Sequence, residues 1–347
     1  MKKKSKVLII AFAVALVLAF FIAIPNIYFY IIGQKIQTGV AGGYEWTDEM
    51  PYDQRKTVKI DAGEGDFKIL VLTDVHRKNH GTFAAELGIN YILDFASEIA
   101  LDKLVKNTSP DLILVLGDTV LTQRNDIETR KFAEQMDGYK IPWAPVFGNH
   151  DDEGRADKAR LAEIYSESEY CLFEYGPQNL HGAGNYVIEI TRNELPVYAL
   201  FMLDSGSSKE FEAQTAGIND AQVNWYEWNM AAFEADYGYK PENMAFFHIP
   251  TPAYAGITEF AVGGRGEDSC FENSSDDILI SMLNNNGTHV FVGHDHANNF
   301  IAGYNNMKIG YATKSSYNCY FKSKVTGGTL LTVPASGDVK EEVVLFR

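Results

Sequence analysis

Cysteine is nearly missing from this sequence. Its 347 residues hold three, Cys171, Cys270 and Cys319, far apart and with no C-x-x-C pair. That excludes a disulfide-built scaffold and a thiolate metal site. The three are read as buried or idle thiols, with room for one disulfide at most. Basic charge is short as well: 30 Lys and Arg stand against 46 Asp and Glu. Four of the 30 lie before Val7 and the first acidic residue is Glu45, so the remainder carries 26 against 46, a net of −20. Such a surface repels nucleic acid and anionic lipid, and no nucleic-acid partner is expected. Low-complexity tracts and internal repeats are missing too. With 46% hydrophobic and 13% aromatic residues, the chain has the material for one large or two modest globular domains.

Charge of either sign is absent from Val7 to Gly33, "VLIIAFAVALVLAFFIAIPNIYFYIIG", which follows Lys2, Lys3, Lys4 and Lys6. The run exceeds the roughly 20 residues that span a bilayer and the ~7–15 of a signal-peptide core. Ile24 and Pro25 follow Ala23, a poor A-x-A cleavage site. Residues 1–33 are therefore expected to be an uncleaved transmembrane anchor. The lysines would stay cytoplasmic and the body would lie outside the cytoplasm, or be secreted if the segment is cleaved. Residues 34–57, polar and aperiodic, read as a linker, and 58–347 as the folded domain.

From Val58 onward, short apolar runs end in polar or Gly-containing turns. "FKILVLTD" (67–74), "DLILVLGD" (111–118), "WAPVFGNHD" (143–151), "VYALFMLDSG" (197–206), "NMAFFHIP" (243–250) and "THVFVGHDH" (288–296) share this form. Runs of this length suit strands buried on both faces, and the period alone leaves buried helix open. Helical spacing over 86–107 (Leu87, Tyr91, Leu93, Phe95, Ile99, Leu104) and over 219–236, with a cap at Asn219 or Asp220, predicts intervening helices. The alternation predicts an α/β fold. "GGTLLTVPASGDVKEEVVLFR" reads as two closing strands about Ser336-Gly337-Asp338.

The polar residues fall at the ends of these runs: Asp74 and His76, Asp118, Asn149-His150-Asp151, His248, and His294 with His296. In open α/β sheets, sites gather at the carboxyl ends of strands. Each residue alone has a bland reading: a turn aspartate, or a core histidine behind aromatics. Independent turns have no reason to recruit five of the eight histidines. Imidazole, carboxylate and one amide suit divalent Zn, Fe or Mn. Seven side chains exceed the needs of one ion, which points to two metals, roughly 3.5–4 Å apart, clamping a phosphoryl group. A hydroxide between such ions would be the nucleophile.

The ordered set D-x-H, G-D, G-N-H-D, H, G-H-x-H resembles the calcineurin-like metallophosphoesterase superfamily over about residues 67–320. "LFMLDSG", "QVNWYEW", "FFHIPTPAY", "GGRGEDSCFENSS" and "FVGHDHANNF" look like its purple-acid-phosphatase-related branch. The resemblance implies a four-layer α/β/β/α sandwich of two mixed sheets and phosphoester hydrolysis. It implies that Asp74, His76 and His296 hold one divalent ion, that Asn149, His248 and His294 hold the other, and that Asp118 bridges. His150 would face the substrate and assist the leaving oxygen, with Asp151 hydrogen-bonded to it and setting its orientation. Monoesters, small or protein-borne, are the expected substrates, with diesters or nucleotides as alternatives and a non-catalytic binding module as the rival reading. One departure stands out: the purple members carry a ligand tyrosine three residues after the bridging aspartate, and this chain has Leu121. A colourless protein is expected. Arg265 could pair with a substrate phosphate and Tyr254 could stand at the pocket rim. Gly293 is read as the residue that lets the chain turn. Asp295, Asn298 and Asn299 are read as supports of the last turn, and His80 and His181 as bystanders.

Overall fold

The computed structural model describes residues 42–78, 84–271 and 274–346. The expected anchor and His80 lie outside the described residues. No described helix is long and apolar enough to cross a membrane. The strands are β1 (Val58–Asp61), β2 (Phe67–Leu72), β3 (Leu112–Leu116), β4 (Trp143–Val146), β5 (Tyr186–Arg192), β6 (Leu195–Met202), β7 (Glu242–Phe246), β8 (Gly287–Val292), β9 (Ile301–Tyr304), β10 (Met307–Tyr311), β11 (Gly327–Val333) and β12 (Lys340–Leu345). The helices are α1 (Ala84–Thr108), α2 (Asn125–Gly138), α3 (Lys158–Ser166), α4 (Ser208–Glu212), α5 (Asp220–Tyr237), α6 (Ala253–Gly256) and α7 (Asp277–Leu283).

The six apolar runs become β2, β3, β4, β6, β7 and β8. They assemble into two mixed sheets, ordered β12-β11-β2-β3-β4 and β1-β5-β6-β7-β8-β10-β9. β2, β3 and β4 are parallel, as are β6, β7 and β8. Each parallel set therefore delivers its carboxyl ends to one edge of its sheet. β11 and β12 pair antiparallel about the expected turn, and β12 closes the sheet edge.

Alternate residues of the seven-stranded sheet divide between two cores, as the period of two requires. Ile188, Leu200, Met202, Phe246 and Phe291 join the core that also holds β2, β3, Phe132 of α2 and Leu161 of α3. Val187, Phe201, Ala245 and Val290 face Trp225, Tyr226 and Phe233 of α5 and Met282 of α7. Burying each Val, Ile, Leu, Met or Phe among them contributes about 1.5–3 kcal/mol. α5 starts at a capping box: the Asn219 side chain accepts from Gln222 N, and Gln222 returns the bond.

Two expectations need correction. The apolar stripe of α1 is not all core: Leu101 and Leu104 are buried, while Tyr91, Phe95 and Ile99 are exposed. A helix of 25 residues runs ~38 Å, while the seven-residue β11 it packs on spans ~23 Å, so part of its apolar face extends beyond that strand. The linker is also shorter than expected. Tyr44 forms a bridge with Pro177, and the Asn179 side chain bonds both the N–H and the carbonyl of Trp46, at 3.0 and 2.6 Å. Trp46 is buried against Trp228, and Arg55 pairs with Glu189 at 2.9 Å. Tryptophan and arginine found partners that a polar average concealed.

Candidate metal centre

Every metal-ligand candidate lies in the turn just past a strand's carboxyl end. Asp74 and His76 follow β2, Asp118 follows β3, Asn149 follows β4, His248 follows β7, and His294 and His296 follow β8. The two sheet edges meet here: His248 Nδ1–H donates across to the Leu116 carbonyl at 2.6 Å, and Thr73 Oγ1 donates to the same carbonyl at 3.1 Å. His76 Nε2 lies 3.6 Å from Asp74 Oδ1 and 3.5 Å from Asp118 Oδ2. His248 Nε2 lies 3.2 Å from Asp118 Oδ2, and His296 Nε2 lies 3.4 Å from Asp74 Oδ1. His294 Nδ1 sits 3.0 Å from Asn149 Oδ1. Asp74, His76 and His296 thus form one cluster with cation-holding geometry, and Asp74, Asp118 and His248 form another. Both carboxylates lie among ring nitrogens from both sheets.

The backbone is bent to do this. Asp74, His76, Asp118 and His294 adopt φ of 54°, 47°, 51° and 75°. Left-handed backbone is uncommon outside glycine and gathers at functional sites. The buried Lys314 holds the first bend, its Nζ donating to the Asp74 carbonyl at 2.7 Å with Ser316 Oγ alongside at 3.1 Å. Gly293 serves by close approach rather than by turning. A Cβ there would lie 2.1 Å from Thr73 Oγ1, and the positive φ falls on His294 instead. Gly148 is equally constrained, since its Cβ would meet Asp118 Oδ1 at 2.2 Å.

Burial opposes ionisation of Asp74 and Asp118. The charge of His296 on the first and of His248 on the second outweighs it and holds both carboxyls well below the usual range. His248 is also buried, yet Asp118 pushes it up to about 10. Burial drives His76 and His294 down to about 3, with Lys314 and His248 respectively adding repulsion. The pocket therefore keeps two carboxylates ionised, favours positive charge among them, and keeps the imidazoles of His76 and His294 neutral. Asp74 Oδ1 and His248 Nε2 are buried and make no hydrogen bond. Buried polar atoms are seldom left so. Lone pairs converging on shared space, from oxygen and nitrogen donors only, fit divalent cations.

Asp151 and His150 are not bonded to each other as expected. The Asp151 carboxylate accepts from the main-chain N–H groups of Gly148 (2.7 Å), Asp118 (3.0 Å), Thr119 (2.8 Å) and Val120 (3.1 Å). It is fully buried and ties the turn after β3 to the turn after β4. Burial and the charge of Asp118 push it up to about 7, against the pull of these amides. His150 is oriented by Glu153, which the sequence pattern did not single out: Oε1 lies 2.8 Å from His150 Nδ1. Ser208 Oγ lies 3.4 Å from the same nitrogen. Burial lowers the His150 pKa, Glu153 and Asp118 raise it, and the net shift is upward. His150 N donates to Asp118 Oδ1 at 2.8 Å, and its side chain is 34% exposed. The imidazole lies beside His76, with ring centroids 5.7 Å apart.

Neither substrate candidate stands at the centre. Tyr254 is a fully buried core residue whose hydroxyl donates to the Val290 carbonyl at 3.0 Å. Arg265 donates to the carbonyls of Tyr254, Ala255 and Ile257, which fixes a loop instead of freeing a fork for phosphate. Asn298 and Asn299 accept from the amides of Gly266, Glu267 and Gly264, tying that loop to the last turn. Asp295 accepts from Tyr311 Oη at 2.6 Å and from Cys270 N, and burial pushes it up to about 6. His181 meets Glu210 at 2.8 Å. No disulfide joins Cys171, Cys270 or Cys319 among the described residues.

The calcineurin-like phosphoesterase family model matches residues 67–298. Phosphatase DCR2 of Saccharomyces cerevisiae is 29% identical over 289 residues, 74% of this chain and 48% of that protein. The chain thus spans about half the length of that relative. Probable inactive purple acid phosphatase 14 of Arabidopsis thaliana is 25% identical over 293 residues, 74% of this chain and 72% of that protein. A solved dimetal phosphatase from Danio rerio aligns over 81% of this chain and 99% of its own, at 11% identity and a TM-score of 0.46. Matched by the family model over more than half its length, and with purple-acid-phosphatase-like relatives, the chain belongs to the calcineurin-like phosphoesterase family.

Proposed function

We propose that this protein hydrolyses phosphomonoesters with two divalent ions, Fe, Mn or Zn. Asp74, His76 and His296 would hold one, Asn149, His248 and His294 the other, and Asp118 would serve both. The carrying observation is the pair of buried carboxylates, Asp74 and Asp118, set among histidine nitrogens from both sheets in two groups that could each hold a cation. When bound, the ions supply Lewis-acid polarisation of a phosphoryl oxygen and a water made nucleophilic near neutral pH. The protein's own work is orientation and proton transfer. Glu153 occupies His150 Nδ1, so Nε2 is left to hydrogen-bond the phosphoryl group and to give a proton to the departing oxygen. The upward shift of His150 favours the protonated form that this needs.

The plant relative's name calls it inactive, whereas this chain carries all seven ligand-type side chains and His150. That complete set supports catalysis over a binding module. The helix-covered sheets support the four-layer sandwich reading. The charge-free run from Val7 to Gly33 supports an anchor with the domain outside the cytoplasm. Alkaline washing of membranes should leave the full chain in the pellet, and release would exclude the anchor.

The deciding experiment is metal analysis of the purified chain, followed by assays on phosphomonoesters and phosphodiesters. His150→Ala should lower turnover ~10²–10⁴-fold while metal content stays unchanged. Filled metal sites with no hydrolysis on any ester would favour the binding module, and faster diester cleavage would favour a phosphodiesterase.

A further inference from the structure

Two described aromatic side chains lie against the ligand histidines without belonging to either core. Phe211 of α4 packs on His294, with ring centroids 5.1 Å apart. Tyr320 stacks on His296 at 4.1 Å with the planes 21° apart, and is 55% exposed. His294 adjoins His248 and His296 adjoins His76, at 5.3 and 4.8 Å. Phe211 thus flanks one side of the centre and Tyr320 the other.

Both rings are held in place. A capping box of Ser207 and Glu210 starts the short helix that carries Phe211. Tyr320 donates from its hydroxyl to Glu267 Oε1 at 3.2 Å, and its carbonyl accepts from His296 Nδ1–H at 3.0 Å. Aromatic side chains kept out of the core and fixed at a rim cost little entropy when they stack on a flat ligand. The charged neighbours do not favour a second phosphate. Glu267 and Glu153 are acidic, and Lys322 donates to the Gly266 carbonyl at 2.6 Å.

We infer that Phe211 and Tyr320 are specificity-determining residues that receive a planar ring on the leaving group, so that phosphomonoesters of phenols and similar flat-ring alcohols are the preferred class. This rests on the phosphomonoesterase reading above. Phenylphosphonate and methylphosphonate test it without chemistry, because neither has an ester bond to break. Their affinities are measured by calorimetry on the full chain, with bound metals counted by elemental analysis. Stacking contributes ~2–10-fold per ring, so phenylphosphonate should bind about tenfold tighter than methylphosphonate or better. In the Phe211→Leu/Tyr320→Leu double variant, that ratio should fall to about one, with methylphosphonate affinity and metal content unchanged. Leucine keeps packing against the histidines but offers no ring face. A ratio near one in the natural protein, or a ratio preserved in the double variant, overturns the inference. Loss of metal in the double variant also overturns it, by assigning the rings to histidine support. Failure of both phosphonates to bind with both metals present defeats the phosphoesterase reading itself.

Discussion

Four main-chain N–H groups converge on the carboxylate of Asp151, while the ring of His150 next to it is held by Glu153. Removing Asp151 would leave buried donors unpaired, at about 1–3 kcal/mol each where water cannot reach them. Asp151→Ala should therefore lower Tm by several degrees. Glu153→Gln should leave Tm nearly unchanged and reduce turnover about tenfold, since it alters only how His150 is held. Thermal denaturation and steady-state kinetics on both variants check this. A turnover loss in Asp151→Ala at unchanged Tm would restore the expected Asp151–His150 bond. The ligand-type residues were legible because each terminates a buried run. Most partners of Asp151 were not, because three of its four amides, those of Asp118, Thr119 and Val120, lie 31 to 33 residues earlier in the chain, a proximity that only β3–β4 pairing creates. Tyr254 and Arg265 mislead for a related reason: their residue types suit a pocket rim, but packing and carbonyl partners decide where they point.

At the scale of elements, β12 shows how an edge strand is pinned. Glu341 on β12 meets His289 of β8 at 2.8 Å and Lys308 of β10 at 2.6 Å, joining the two sheets. Burial raises the Glu341 pKa, but these partners outweigh it and the net shift is downward. A carboxyl depressed in the folded state adds stability above its unfolded pKa of about 4.3, and that stability is lost as pH falls through the folded value. Glu341→Gln should thus lower Tm at pH 7, and the gap from the natural protein should close as pH drops below the ordinary glutamate range. A gap that stays constant from pH 7 to pH 3 would exclude the ion-pair account. The antiparallel pairing of β11 and β12 was readable from two apolar runs around Ser336-Gly337-Asp338. The Glu341 contact was not, since it depends on how the second sheet lies against the first. β9 and β10 escaped notice as well: "IAGYNNMKIGY" interrupts its apolar residues with glycine and a polar Asn305-Asn306 turn.

Across the whole molecule, the ligand candidates come from both sheets: Asp74, His76, Asp118 and Asn149 from one, His248, His294 and His296 from the other. A pair of ions shared among them would act as a staple between sheets as well as a catalyst. Without ions, Asp74 Oδ1 makes no hydrogen bond, and a buried polar atom left so costs stability where water is excluded. A ligand that binds only the folded state stabilises it by about 2.7 kcal/mol at a hundredfold excess over Kd. Two ions acting this way would add about 5 kcal/mol, and a domain of this size gains roughly 2 °C per kcal/mol. Chelation should then lower Tm by ~10 °C, and readdition of the native metal should restore it. His248→Ala should lower Tm of the loaded protein and flatten its response to chelator, because it removes a donor from the second sheet. The fold could be sketched strand by strand, but this coupling lies in the meeting of two edges that no local pattern encodes. If chelation emptied the sites, verified by elemental analysis, and left Tm unmoved, the ions would not favour the folded state over the unfolded one, and the account of a staple between sheets would fall.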